Sequence, residues 1–497
     1  MGQHLAAQGA ASGYVGRSGG RLANPHVQVL FCVVSALLTR AFVFGDPAFH
    51  IDEDWYLFVG HRLLEGDRLY VDIWDRKPPG LFYLYALFAA LPRPIIAYQL
   101  AACLAAAGGA LLVLRMALRI TTAPAAFIAA ALYLASLVQL GGAGGQSPVF
   151  YNVLMAGAAA LVGLGEPDRR KQRLAMLLAG FAITIKPTVL FEGAFLGLWI
   201  VWRLWRSGMA PGAIALHALQ LALIGALPFL LLMAWFVSIG DFEPFWQATV
   251  LSNFVRANQM DDPVRAHRML LVLPTIAFPA GCALLALLLA RDNSRFAGRA
   301  GFLLGWIAAA TLGVVAVPNF YNHYLLPLLP PLCVTASAFF GRSRVLLLLG
   351  VLGAATPLIE AKPWNTRTTR LQAEGYAQLL SMIRENDPHP RLLVFQGPAT
   401  LYMDLGVRQP TPLAFAQHLD NRYEKDVSLL RTSDEVRRIL AGRPTTVVIG
   451  TLVSKTVANF ESRWAIQGYA QKHCQYIGKA SLPDWLPPEH AVFSRCR

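Results

Sequence analysis

The chain has 497 residues, of which 55% are hydrophobic and only 14% charged, with a mean hydropathy of +0.45. Average soluble domains carry about 25% charged residues, so a soluble globular enzyme is excluded and a polytopic membrane protein is implied. The net charge of +14 does not point to nucleic acid: Lys and Arg sit in short clusters between apolar runs, the pattern of cytoplasmic loops under the positive-inside rule.

Residues 1–25 are rich in Gly, Ala and Ser and read as a disordered cytoplasmic tail. A first span is expected over 27–44, with Arg40 near its outer end either snorkelling to the interface or contacting a phosphate. The polar loop 46–80 follows, holding His50-Ile51-Asp52-Glu53-Asp54 and, later, Asp75-Arg76-Lys77-Pro78-Pro79. Within it, residues 54–65 repeat with helical period, predicting an amphipathic helix on the membrane surface. Residues 80–91 are apolar but short, which predicts a re-entrant or interfacial helix.

Further spans are expected near 95–114, 123–140, 149–164, 174–185, 189–202, 213–238, 269–290, 301–317, 325–340 and 345–358. That makes about eleven, with the N-terminus inside and the C-terminus outside. Lys171 and Arg295 then face the cytoplasm, while Asp72, Gln259 and everything after 361 face out. Lys186-Pro187 is the apex of an outer hairpin. Arg256 lies in the outer loop 241–268, and Tyr321 and His323 lie in an outer turn at 318–324. From residue 361 the composition changes. Short β-branched runs at 391–396 and 445–450, each preceded by a helical segment, predict a soluble α/β domain with a partly parallel sheet over 361–497. Four of the six cysteines, Cys32, Cys103, Cys282 and Cys333, lie in apolar runs as small hydrophobes. Cys474 and Cys496 remain as a pair suited to an oxidising compartment.

The outer-face polar groups are a carboxylate cluster and several cations, the composition of a site that handles an anionic substrate. The chain resembles the C-type glycosyltransferases that use polyprenyl-phosphate sugars, in the branch of the aminoarabinose transferases and protein O-mannosyltransferases. The resemblance rests on Asp52-Glu53 after the first span, Lys77-Pro78-Pro79 closing the loop, the stretch from Gly180 to Lys186, and His323-Tyr324-Leu325-Leu326-Pro327 opening a late span. It implies a GT-C membrane module over 26–360 and an outer C-terminal domain, in a multi-pass protein of the bacterial inner membrane. It also implies inverting transfer of a sugar from a polyprenyl-phosphate carrier to a glycolipid, polysaccharide or protein acceptor at the periplasmic face. Asp52 would be the general base, with Glu53 the competing candidate for that role. Lys77, Lys186, Arg256, His323 and Tyr321 would hold the donor phosphate. Many relatives carry a second acid in the loop that here reads Gly144-Gly145-Gln146-Ser147-Pro148; Gln146 is a poor replacement for a charged oxygen ligand, and whether a divalent metal is required stays open. No second His or Cys stands at ligand spacing from His323. A transporter or lipid flippase is the alternative class; it calls for midplane charges and inverted repeats.

Overall fold

The computed structural model describes residues 21–165, 168–259, 262–317, 319–451 and 455–497, with the side chains of 256–259 and 262 excepted. Most of the expected disordered tail therefore lies outside the described residues. The chain is predominantly helical up to residue 386. Helix α1 (Pro25–Arg40) starts where Asn24 accepts from His26 N, with proline at the first helical position. That proline device recurs at α3 (Pro79–Ala89), α4 (Pro94–Ala117), α5 (Ala123–Gln139) and α6 (Ser147–Val162). Proline's fixed φ suits the first turn, and its missing N–H would have no partner there anyway. Between α1 and α3 lies α2 (Ile51–Leu64).

The chain then runs through α7 (Arg169–Ile185), α8 (Leu190–Arg206) and α9 (Pro211–Ser238). Short pieces α10 (Phe242–Trp246), α11 (Ser252–Gln259) and α12 (Asp262–Val272) build the loop before α13 (Ala277–Leu288). Helices α14 (Ser294–Val315), α15 (Leu329–Phe340) and α16 (Arg344–Ala361) complete the bundle. Among the described residues, eight helical stretches are long and apolar enough to cross a membrane; α3, α5 and α6 are shorter apolar helices. At 11 residues, α3 extends only about 16 Å, roughly half the hydrocarbon thickness, so it fits a non-crossing helix.

After α17 (Thr366–Asn386) comes a four-stranded sheet of β1 (Leu392–Phe395), β2 (Thr446–Gly450), β3 (Gln475–Ser481) and β4 (Glu489–Ser494), in the order β1-β2-β4-β3. The β1–β2 pair is parallel and the other two pairs are antiparallel. Helices α18 (Thr400–Asp404), α19 (Thr432–Ala441) and α20 (Phe460–His473) accompany it. Cys474 and Cys496 form a disulfide, and the other four cysteines are buried.

One expectation is corrected. Helix α2 does not lie with one face to lipid: residues Glu53 to Gly60 are all buried. One side packs on α3, where a Cβ at Gly60 would stand 2.6 Å from Ala86 N and Tyr85 C, so only glycine allows the approach. The other side meets the C-terminal region, because Asp54 accepts from Ala399 N at 2.6 Å, from Thr400 N at 3.3 Å and from the Thr400 hydroxyl.

Candidate active site

The acidic run opens α2. His50 stands at the cap position, its Nδ1 3.2 Å from Asp52 N, and Asp52, Glu53 and Asp54 fill the first turn. Negative charge there is favoured by the helix dipole. Successive side chains are turned by about 100°, so three adjacent carboxylates meet three different sets of neighbours.

Asp52 accepts from Gln146 Nε2 at 2.8 Å and stands 3.7 Å from Lys77 Nζ. Burial pushes its carboxyl up, but the charges of Lys77, His50 and His323, with the Gln146 hydrogen bond, outweigh that and hold it below the usual carboxylate range. Asp52 is therefore ionised throughout the physiological range. Glu53 is fully buried, with His50 Nδ1 2.8 Å from its Oε2. Burial raises Glu53, and Glu53 in turn raises His50 to about 9 against the effect of burial, so the two hold a proton between them.

Lys77 is built into place. Its backbone N–H donates to Asp75 Oδ1 at 2.9 Å, its Nζ to Asp75 Oδ2 at 3.3 Å, and its carbonyl accepts from Tyr70 OH at 2.8 Å. Trp55 Nε1 also donates to Asp75 Oδ2, at 2.7 Å. The ammonium lies over the rings of Tyr56 at 5.0 Å and Phe415 at 5.3 Å. Phe415 belongs to the C-terminal region, to which sequence reasoning gave no part in the site.

The loop 141–146 closes the other side. Arg40 is fully buried and donates from Nη1 to Ala143 O at 2.7 Å, so it neither snorkels nor faces solvent. A Cβ on Gly144 would sit 2.7 Å from the Phe49 ring and 2.8 Å from Glu53 Oε1; on Gly145 it would meet Tyr85 OH at 2.2 Å. These glycines let the loop bring Gln146 onto Asp52.

Lys186 and His323 form an adjoining cluster. Lys186 ends α7 in an extended conformation before Pro187, as pre-proline residues do, and its Nζ lies 4.9 Å over the Tyr324 ring. Tyr321 stacks on His323 at 5.8 Å, and Arg268, which sequence reasoning passed over, covers Tyr321 at 4.7 Å. The His323 ring is 6.5 Å from His50 and within electrostatic reach of Asp52, Lys77 and Lys186, so it links the two clusters. Lys186 and His323 also line a cavity with Ser147, Tyr151, Thr188 and Glu192. Arg256 lies on α11, and its side chain is outside the described residues.

A divalent cation does not suit this donor set. Asp52 is surrounded by Lys77, His50 and the Gln146 amide N–H, all donors or cations, and Gln146 offers no second charged oxygen. Asp75 and Gln146 emerge as residues the sequence reading quoted without a role. The signal for Gln146 was its place in the loop where relatives carry an acid. For Phe415, in an irregular stretch, the sequence holds no such signal.

The chain was compared with known proteins. The structure of ArnT from Cupriavidus metallidurans bound to undecaprenyl phosphate matches over 95% of this chain and 98% of that one, with a TM-score of 0.62 at 15% identity. The chain has the GT-C fold. The apo ArnT structure matches with a TM-score of 0.61 at 15% identity, covering 95% of this chain and 98% of that one. The archaeal oligosaccharyltransferase AglB from Archaeoglobus fulgidus, in complex with an inhibitory peptide and a dolichol-phosphate, matches over 92% of this chain and 80% of that one, with a TM-score of 0.52 at 10% identity. No family model and no curated protein matches the chain.

Proposed function

We propose that the protein is an inverting glycosyltransferase that moves a sugar from a polyprenyl-phosphate carrier to a hydroxyl of a cell-envelope glycan, lipid or protein. The transfer takes place at the periplasmic face of the inner membrane. The observation that carries this reading is the pairing of Asp52 with Lys77 at 3.7 Å on a GT-C fold. Neighbours with that fold are recorded with undecaprenyl phosphate and dolichol-phosphate.

The chemistry is one displacement. The acceptor oxygen attacks the anomeric carbon, its proton passes to an Asp52 carboxylate oxygen, and the carbon–oxygen bond to the phosphate breaks, releasing polyprenyl phosphate. Lys77, with Lys186 and His323, offers N–H groups to the departing phosphate. In the resting site Lys77 keeps Asp52 a weak base. A donor phosphate that takes the Lys77 N–H groups for itself removes that restraint, so the basicity of Asp52 rises once donor is in place.

Asp52→Asn tests the reading, since it keeps shape and hydrogen bonding but cannot take a proton. Transfer from a polyprenyl-phosphate sugar should fall by ~10²–10⁴ with donor binding retained. Near-normal transfer by this variant would overturn the mechanism.

A further inference from the structure

The cavity beside Lys186 contains a group the mechanism above does not use. Glu192 lies on α8, in a stretch that qualifies as a membrane span, and its side chain is 4% exposed. Its Oε1 accepts from Trp306 Nε1 at 2.7 Å. No other donor reaches it among the described residues, and the carboxyl group borders the cavity. An acidic group at membrane depth is costly, and such residues are retained where they face partners, a cavity or a ligand. Holding Trp306 occupies one oxygen; a neutral side chain would do that at lower cost.

The cavity's other polar groups indicate what would complete the set. Lys186 and His323 border it, Ser147 and Thr188 contribute hydroxyls, and Tyr151 lends a phenol. Glu192 is six residues beyond Lys186, past the turn at Pro187–Val189 and in the first turn of α8. A lysine ammonium, an imidazole and several hydroxyl-bonding groups around one cavity match a phosphate joined to a polyol. We infer that this cavity receives the sugar ring of the donor, and that Glu192 accepts hydrogen bonds from its hydroxyls and so sets which sugar is used. The inference rests on the transferase reading above. His323 borders both this cavity and the Asp52–Lys77 cluster. A sugar in the cavity therefore presents its anomeric carbon between the phosphate groups and the base.

The test compares binding of undecaprenyl phosphate with binding of a panel of undecaprenyl-phosphate pentoses and hexoses to the full-length protein in nanodiscs. Glu192→Gln keeps an acceptor for Trp306 while replacing the cavity-facing oxygen with a donor. It should bind bare undecaprenyl phosphate like wild type, bind the preferred sugar-bearing lipid about tenfold or more weakly, and discriminate less among the panel. Val314→Phe, which narrows the same cavity and leaves Lys186 and Glu192 unsubstituted, should give the same split and tests the cavity as the sugar site if Glu192→Gln does not fold. Equal loss for bare and sugar-bearing lipid, or no loss for either, overturns the assignment. Wild-type protein that binds neither class overturns the transferase reading, and the assignment with it.

Discussion

Asp52, Glu53 and Asp54 differ by at most one methylene, yet one helical turn gives them separate work. Asp52 meets Lys77 and Gln146, Glu53 is sealed against His50, and Asp54 bonds Ala399 and Thr400. That adjacent carboxylates must diverge was legible in the sequence, because it follows from helical geometry alone. Which neighbour each would find was not, since Gln146 and Thr400 lie far along the chain. The neutrality of Gln146 carries a consequence. A carboxylate in its place would remove the 2.8 Å hydrogen bond and set a like charge beside Asp52, and both changes favour the protonated form. In wild type the base titrates below the ordinary carboxylate range, so kcat/KM should hold level as pH falls through 5. In Gln146→Glu the acidic limb should move to higher pH, with transfer near pH 6 reduced more than at pH 8. A pH–rate profile of both proteins checks it; superimposable acidic limbs would mean that Gln146 does not govern Asp52.

At the scale of elements, the loop between α2 and α3 is a mount for one ammonium. Lys77-Pro78-Pro79 announces itself in sequence because Pro79 opens α3; Asp75, which holds the lysine, looks like one more acid in a charged loop. Its carboxylate takes the Lys77 backbone N–H, the Lys77 Nζ and the Trp55 indole N–H at once. Asp75 is a positioning residue acting through Lys77, and two substitutions separate its roles. Asp75→Ala leaves buried donors unpaired and should cost about 1–3 kcal/mol in stability. Asp75→Asn keeps one acceptor oxygen but removes the charge that orients Nζ, so it should lose less stability than Asp75→Ala while KM for the lipid donor rises several-fold and kcat changes less. A purely structural Asp75 would instead show a lowered Tm with an unchanged KM. Helix α2 shows the limit of reading amphipathicity. Its polar residues suggested a solvated face, but they are buried against the C-terminal region, and a hydropathy pattern cannot tell water from a polar protein surface.

Considered whole, the molecule places its C-terminal region as a roof over the candidate site. Trp74 N donates to Pro412 O at 2.9 Å, Arg76 pairs with Glu424, Arg408 pairs with Asp67, and Phe415 stands over Lys77. These contacts fix the topology to be tested, because a roof on the loop after the first span must share that loop's side of the membrane. The basic clusters at 168–173 and 291–299 assign the cytoplasm to the opposite side, so the region after residue 361 should be periplasmic. Arg437, on α19, has a side chain 77% exposed, and the four unpaired cysteines are buried while the other two are joined in the disulfide. A single Arg437→Cys substitution therefore creates one accessible thiol on an otherwise unreactive background. A membrane-impermeant maleimide should label it in cells whose outer membrane alone has been opened, and a cysteine replacing Lys171 should react only after the inner membrane is breached. The reverse pattern would put Asp52 and Lys77 on the cytoplasmic side, where an acceptor from the outer envelope could not reach them, and would remove the periplasmic half of the proposed function.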